Sequence, residues 1–253
     1  MRSGIGDPSG GRHAPPAVSK SSLTSAGKSS KSSTAKSGRS ANVEARTASN
    51  ARQRILDVAT KEFSAKGYDG ARVDDIMRHS KVSKNLIYHY FGSKEELFIK
   101  VLESAYSGMH EYQMSWPLDV SSPIDGIRKL VQSTFKYWKE SPEFIGLLNS
   151  ENFHKGRHLR KSKLSKAGYS GLLGHISDLL RKGNKSGDFR PNVDPIELYI
   201  SISALAYHYL SNRYTLSYLM DRKLSSESEM KVRIKHIEDL ILGYLRYGAP
   251  CSR

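Results

Sequence analysis

A single cysteine, Cys251, stands among 253 residues. With no second thiol the chain can form neither an internal disulfide nor a zinc site built from several thiolates, and a free thiol fits a reducing, cytoplasmic compartment. No apolar run approaches the roughly 18 residues that span a bilayer, and the N-terminal stretch lacks the apolar segment of a secretory signal, so no membrane partner is expected. There is no HExxH pair, no phosphate-binding loop, no nucleophile elbow and no Cys/His cluster at metal-ligand spacing. The Gly4-Ile5-Gly6 fragment is no dinucleotide fingerprint, since no strand precedes it and no helix follows. The expectation is a protein that is not an enzyme, with no catalytic residues, metal or cofactor. Hairpin signals flanked by alternating strands are also missing, which leaves helices to build the fold.

Positive charge is abundant. Forty Lys and Arg against 25 Asp and Glu give a net charge of +15, which suggests a polyanionic partner. Residues 1–50 hold eight basic and two acidic side chains, a net of +6 that leaves +9 for the remainder. Residues 1–46 are mostly Ser, Gly, Ala, Lys and Pro, with Val18, Leu23 and Val43 too sparse to bury a face. Ordering that segment costs more than it returns, so a disordered basic tail is expected. The tail either touches the polyanion or only keeps the chain solvated, and the second reading is preferred. Beyond it, 38% hydrophobic content over the whole chain is enough for a packed core.

From Asn50 to Lys66, Ile55, Ala59 and Phe63 recur every fourth residue; Asn50 with Gln53 forms a variant capping box and Gly67 closes the helix. The stretch RVDDIMRHSKVSKNLIYHYFGSKEELF, Arg72 to Phe98, then holds two short helices, a tight turn and the start of another helix. Val73, Ile76 and Met77 share one face, Lys81-Val82-Ser83 makes the turn, and Ser83 caps the next helix. Along that helix Ile87 and Phe91 bury together, leaving Lys84, Asn85, Tyr88 and His89 outward as groups that reach bases and phosphates. Ser93-Lys94-Glu95-Glu96 forms a capping box, with Lys94 at a positive helix end suited to phosphate.

The run from Arg52 to Phe98, with RQRILDVATKEFSAKGYDGARVDDI leading into VSKNLIYHYFGSKEELF, resembles the DNA-binding domain of the tetracycline-repressor-like (TetR) transcriptional regulators. The resemblance implies an all-helical homodimer whose larger C-terminal domain binds a small molecule and controls affinity for a double-stranded operator. Two positions depart from the family pattern. Arg72 replaces the usual Thr at the second helix start, removing a side-chain cap while offering a phosphate contact. Lys81 stands where the turn usually has Gly, so a left-handed conformation there is strained. Tyr88 and Lys94 are the candidates for phosphate; Lys84, Asn85 and His89 for base edges, with Asn suited to adenine and Lys to guanine. Leu86 stands where a small hydroxyl residue is frequent in the family.

The fourth helix, from Lys94 towards His110, is expected to join residues 47–110 to a helical domain over 111–253. There Ile127, Leu130, Val131, Thr134, Phe135 and Trp138 follow helical spacing, Ser141-Pro142 restarts the chain, and a helix over Leu159 to Leu180 ends at Gly183. Trp138, Phe144, Asn152, His175 and Tyr207 are candidate ligand residues, with Asn149, His154 and His208 as further polar groups; aromatic walls with a few polar groups suit an organic effector anchored through a carboxylate or a hydroxyl. Leu198, Ile202, Leu205, Tyr209, Leu216 and Leu219 form one seam, and Met230, Ile234, Ile237, Ile241 and Tyr244 another. Such seams pack within one chain or across two; the family resemblance favours the homodimer. A regulator, in sign a repressor, is the expected function, and an architectural DNA-binding protein without an effector is the alternative.

Overall fold

The computed structural model describes residues 33–116, 122–164 and 168–246. They form ten α-helices: α1 Ser33–Gly70, α2 Val73–Ser80, α3 Lys84–Phe91, α4 Lys94–Met114, α5 Pro123–Glu140, α6 Pro142–Phe153, α7 Gly168–Ser186, α8 Pro195–Ser211, α9 Arg213–Leu219 and α10 Glu227–Arg246. No strand occurs among the described residues, and none of their helices is long and apolar enough to cross a membrane. The tail expected over 1–46 lies mostly outside the described residues. Its last part differs from expectation, because α1 is already helical from Ser33, in a run where Ala, Lys, Arg and Glu suit a helix.

Local signals set most boundaries. Ser83 Oγ accepts from the amide of Leu86, and Ser93 Oγ from the amide of Glu96. Ser122 and Asp194 cap α5 and α8 in the same way, each ahead of a proline at the first helical position. The helix expected to start at Leu159 is instead a single 3-10 turn, Leu159–Lys161, and α7 begins at Gly168 and runs past Gly183 to Ser186. The seam expected from Leu198 to Leu219 is broken at Asn212, whose side-chain amide donates to the carbonyl of His208 and so competes with the helical ladder.

From Arg46 onward the chain is one compact unit containing two apolar clusters. The first gathers Ile55, Ala59 and Phe63 of α1, Ile76 of α2, Ile87 and Phe91 of α3, and Leu97, Phe98 and Val101 of α4. The second is built around α5, which packs against α7, α8 and α10 through Ile127, Leu130, Phe135, Leu172, Ile202 and Ile237. Each fully buried Leu, Ile or Phe contributes about 1.5–3 kcal/mol by leaving water. Ala105 touches both clusters, so they meet along α4.

Helix α6 ties the clusters together. Its Phe144 and Ile145 lie in the second, while Leu147 lies in the first. Gly146 allows the close approach: a Cβ there would fall inside the van der Waals shell of the Ser64 carbonyl oxygen on α1. One turn on, Ser150 Oγ accepts from the amide of Tyr68 at 2.9 Å, just past the break that Gly67 makes in α1 with φ 68°.

Candidate nucleic-acid interface and effector groove

The α2–turn–α3 unit keeps a fixed shape because its apolar side is wholly buried. Ile76, Ile87 and Phe91 anchor it on α1 and α4, and Arg52 of α1 lies over the Phe91 ring with its guanidinium carbon 5.4 Å from the centroid. The turn passes through Lys81 in the left-handed region (φ 56°, ψ 41°), its amide donating to Met77 O. That conformation costs a side-chain-bearing residue about 1–2 kcal/mol. Arg72 gives α2 no side-chain cap and stays exposed. Its backbone amide reaches the nearly buried carboxylate of Glu62 at 3.4 Å.

Outward on α3, Lys84, Asn85, Tyr88 and His89 are all exposed, and Ser83 stands exposed at the helix start. Leu86 and Tyr90 are half-buried. Lys84 pairs with Asp74 of α2, ammonium to carboxylate 2.8 Å, and this hydrogen bond holds the Lys84 ammonium above its ordinary pKa. Lys94 departs most from expectation. It occupies the first position of α4, yet its ammonium lies 4.8 Å from the centre of the Tyr68 ring and 3.4 Å from the Asp69 carbonyl. Partial burial lowers its pKa. A cation held over a ring is restrained, and here it pins α4 to the end of α1.

Between α5, α6, α7 and α8 lies a groove of about 480 Å³. Of the five expected ligand residues, Trp138 and Tyr207 line it. Phe144 backs Trp138 instead, the rings stacked 5.5 Å apart at 24°. Asn152 is exposed and its amide is spent on the Leu148 carbonyl of its own helix; His175 is exposed on α7 away from the groove. The remaining lining comes from residues that periodicity assigns to ordinary helix faces: Leu148, Leu173, Ile196, Tyr199, Ile200, Ser203 and Ala204. Trp138 Nε1 donates to Ser203 Oγ at 3.3 Å, Gln113 Nε2 to the Tyr199 hydroxyl at 2.6 Å, and the Tyr207 hydroxyl to Asn149. Burial raises the Tyr199 hydroxyl to about 12.

The joint between clusters holds a buried acid and imidazole that motif reading passed over. Glu151, on α6, accepts through Oε1 from the amides of His158 and Leu159 and through Oε2 from His158 Nδ1 at 2.6 Å. Arg157 Nε donates to His158 Nε2 at 3.3 Å, which leaves Nδ1 as the protonated nitrogen. The His158 ring packs on Tyr68 and Phe98, so this loop presses on α1 and α4, which hold the α2–turn–α3 unit. His154, from the same loop, bridges to Asp69 at 3.2 Å.

Most of the expected interface seams are buried within the chain itself. Leu198, Ile202, Tyr209, Ile237 and Ile241 all lie inside the chain's own core, and Leu205 and Ile234 are packed against it. Leu205 also gives its carbonyl to Arg233. Of the expected seams Leu219 and Tyr244 are exposed, and the Tyr244 ring carries the Arg190 guanidinium at 3.7 Å. The apolar groups left in water occupy neighbouring positions: Ile196 and Ile200 on α8, Val232 and Leu240 on α10, and Tyr214 and Tyr218 on α9. His208, Val232 and His236 border one further groove, which joins the outer faces of α8 and α10.

Comparison with known proteins matches two stretches of the chain. Residues 55–101 match the family described as bacterial regulatory proteins, tetR family, and residues 123–241 match the tetracyclin repressor-like C-terminal domain. The transcriptional repressor NicS of Pseudomonas putida is 36% identical over 195 residues, covering 77% of this chain and 92% of the relative. The solved structure of a TetR regulator from Chloroflexus aurantiacus superposes with a TM-score of 0.58 at 19% identity, covering 79% of this chain and 98% of that one. The transcriptional regulator FadR of Bacillus subtilis, in complex with stearoyl-CoA, superposes with a TM-score of 0.56 at 15% identity, covering 77% of this chain and 99% of that one.

Proposed function

Because the chain belongs to the tetracycline-repressor family of DNA-binding transcriptional regulators, we propose that it is a homodimeric repressor released from a palindromic operator by a small organic effector. The observation that carries this reading is the division of α3. Ile87 and Phe91 fix the helix to the body, and Lys84, Asn85, Tyr88 and His89 project from it. A helix so held lays its polar side in the major groove, Asn85 and Lys84 at base edges and Tyr88 on the backbone. Arg72 and Ser83 are backbone contacts at the two helix starts, and Lys94 a weaker one.

One such helix reads half a site. Two copies related by a two-fold axis read successive major grooves about 34–36 Å apart. The exposed stripe of Val232 and Leu240 on α10 is the surface assigned to that pairing. The effector's place is the groove against Trp138, and α6 is its link to the reading unit: Leu148 lines the groove and Asn149 holds Tyr207, while Leu147 and Ser150 of the same helix grip α1. A shift of α6 on binding tilts α1 and α4 and misplaces the two reading helices. Linkage is reciprocal, so an effector that weakens operator binding a hundredfold binds the operator complex about 2.7 kcal/mol more weakly.

The test is titration of the full chain against DNA from the region upstream of its own gene, by anisotropy at several salt concentrations, with light scattering on the same sample. A dimer that prefers no fragment over random DNA would end the proposal.

A further inference from the structure

The groove beside Trp138 also specifies the chemistry of its occupant. None of the described residues lining it is Lys, Arg, His, Asp or Glu. The histidines that seemed suited to an acid lie elsewhere: His154 is bound to Asp69 at the joint, His175 is on the outer side of α7, and His208 borders the separate groove with α9 and α10. The walls are hydrocarbon and ring, from Leu148, Leu173, Ile196 and Ile200 to Trp138 and Tyr207.

The polar atoms that remain are neutral and already engaged. The Tyr199 hydroxyl accepts from the Gln113 amide, and the Tyr207 hydroxyl donates to Asn149 Oδ1. The raised pKa of Tyr199 reports the same dry surroundings, in which a phenolate is disfavoured. The weakest bond is Trp138 Nε1 to Ser203 Oγ at 3.3 Å, at the long end of the range for such contacts. An occupant bringing an acceptor oxygen to that indole N–H replaces a poor bond with a good one. An occupant bringing a carboxylate loses water and meets no cation. We propose, resting on the effector reading above, that this groove takes an uncharged, ring-bearing molecule with one hydrogen-bond acceptor and discriminates against the carboxylate of the same skeleton.

The test uses 2-naphthol and 2-naphthoate, which at neutral pH share a ring system and differ in charge, each titrated calorimetrically into the full chain. Naphthol is expected to bind, and naphthoate at least about tenfold more weakly. Leu173→Trp, which fills the groove, should abolish naphthol binding, and Ile196→Lys, which brings a cation to its exposed mouth, should narrow or invert the preference. Far-UV circular dichroism checks that both variants are folded. Equal or tighter binding of naphthoate, no binding of either probe at millimolar concentration, or naphthol binding unchanged in a folded Leu173→Trp chain each overturns the proposal. Operator release is read separately. Naphthol that binds as described but leaves DNA affinity unchanged removes the effector reading and leaves the inference about the groove standing.

Discussion

The ammonium of Lys84, on the helix offered to DNA, lies 2.8 Å from the carboxylate of Asp74 on the helix before it. This pair is exposed and therefore easily exchanged. A guanine or a phosphate competes with Asp74 for the same cation, so the carboxylate restrains binding to every sequence. Asp74→Asn should strengthen binding to random and operator DNA alike, while Lys84→Ala should cost about 1–3 kcal/mol at the operator if the side chain reads a base. Anisotropy titrations on both DNAs decide it. An Asp74→Asn chain with unchanged affinity would place Lys84 away from the DNA.

Burial separates two kinds of interface variant. Leu240 is 46% exposed and Ile237 is fully buried. Leu240→Glu should give a folded monomer that has lost tight binding to a palindrome, because a charge cannot be desolvated in the pairing surface without a partner. Ile237→Glu should unfold the chain or lower its melting temperature. Light scattering with circular dichroism distinguishes the outcomes, and a Leu240→Glu dimer would move the pairing surface elsewhere.

Glu151 accepts three hydrogen bonds at the joint, from two amides and the His158 ring. Glu151→Ala leaves those buried donors unpaired and should destabilise the fold by about 3–5 kcal/mol. Urea denaturation measures this. A loss below about 1 kcal/mol would mean that the loop relaxes and the donors find water.

Glu103 gives a pH dependence of known sign. Burial pushes its carboxyl up, but the Lys100 ammonium and the Lys163 amide outweigh this and hold it below the ordinary 4.5. A carboxyl lowered in the folded state adds stability above its unfolded value, and that stability is lost as pH falls through the folded value. The gap in stability between the native chain and Glu103→Gln should therefore be full at neutral pH and close in acid. A gap constant from neutral pH to well below 4.5 would assign the effect to packing instead.

The reading unit was legible in the sequence because its signals are local. Ser83, Ser93 and the spacing of Ile76, Ile87 and Phe91 need no distant partner to be interpreted. The groove was legible only through Trp138 and Tyr207, since Leu173, Ile196 and Ile200 look like any helix-face residues until four helices come together around them. His175 and Asn152 were plausible by type, but their positions leave both outside the lining of the groove. The seams on α8 and α10 show the limit most plainly: a repeat of Leu198, Ile202 and Tyr209 identifies an apolar face, and periodicity does not say whether that face meets its own chain or another. The helix α5 already occupies it.

At Gly146 any other amino acid brings a Cβ against the Ser64 carbonyl. The position is thus closed to drift, while Leu173, Ile196 and Ile200, a short distance away around the groove, tolerate exchange among side chains of similar size. If the groove holds the effector as proposed, a lineage of such proteins can change what it responds to by altering the walls of the groove and keep, through one glycine, the spacing by which the response is passed on. Diversity of stimulus with constancy of output then rests on a residue that touches neither the stimulus nor the DNA.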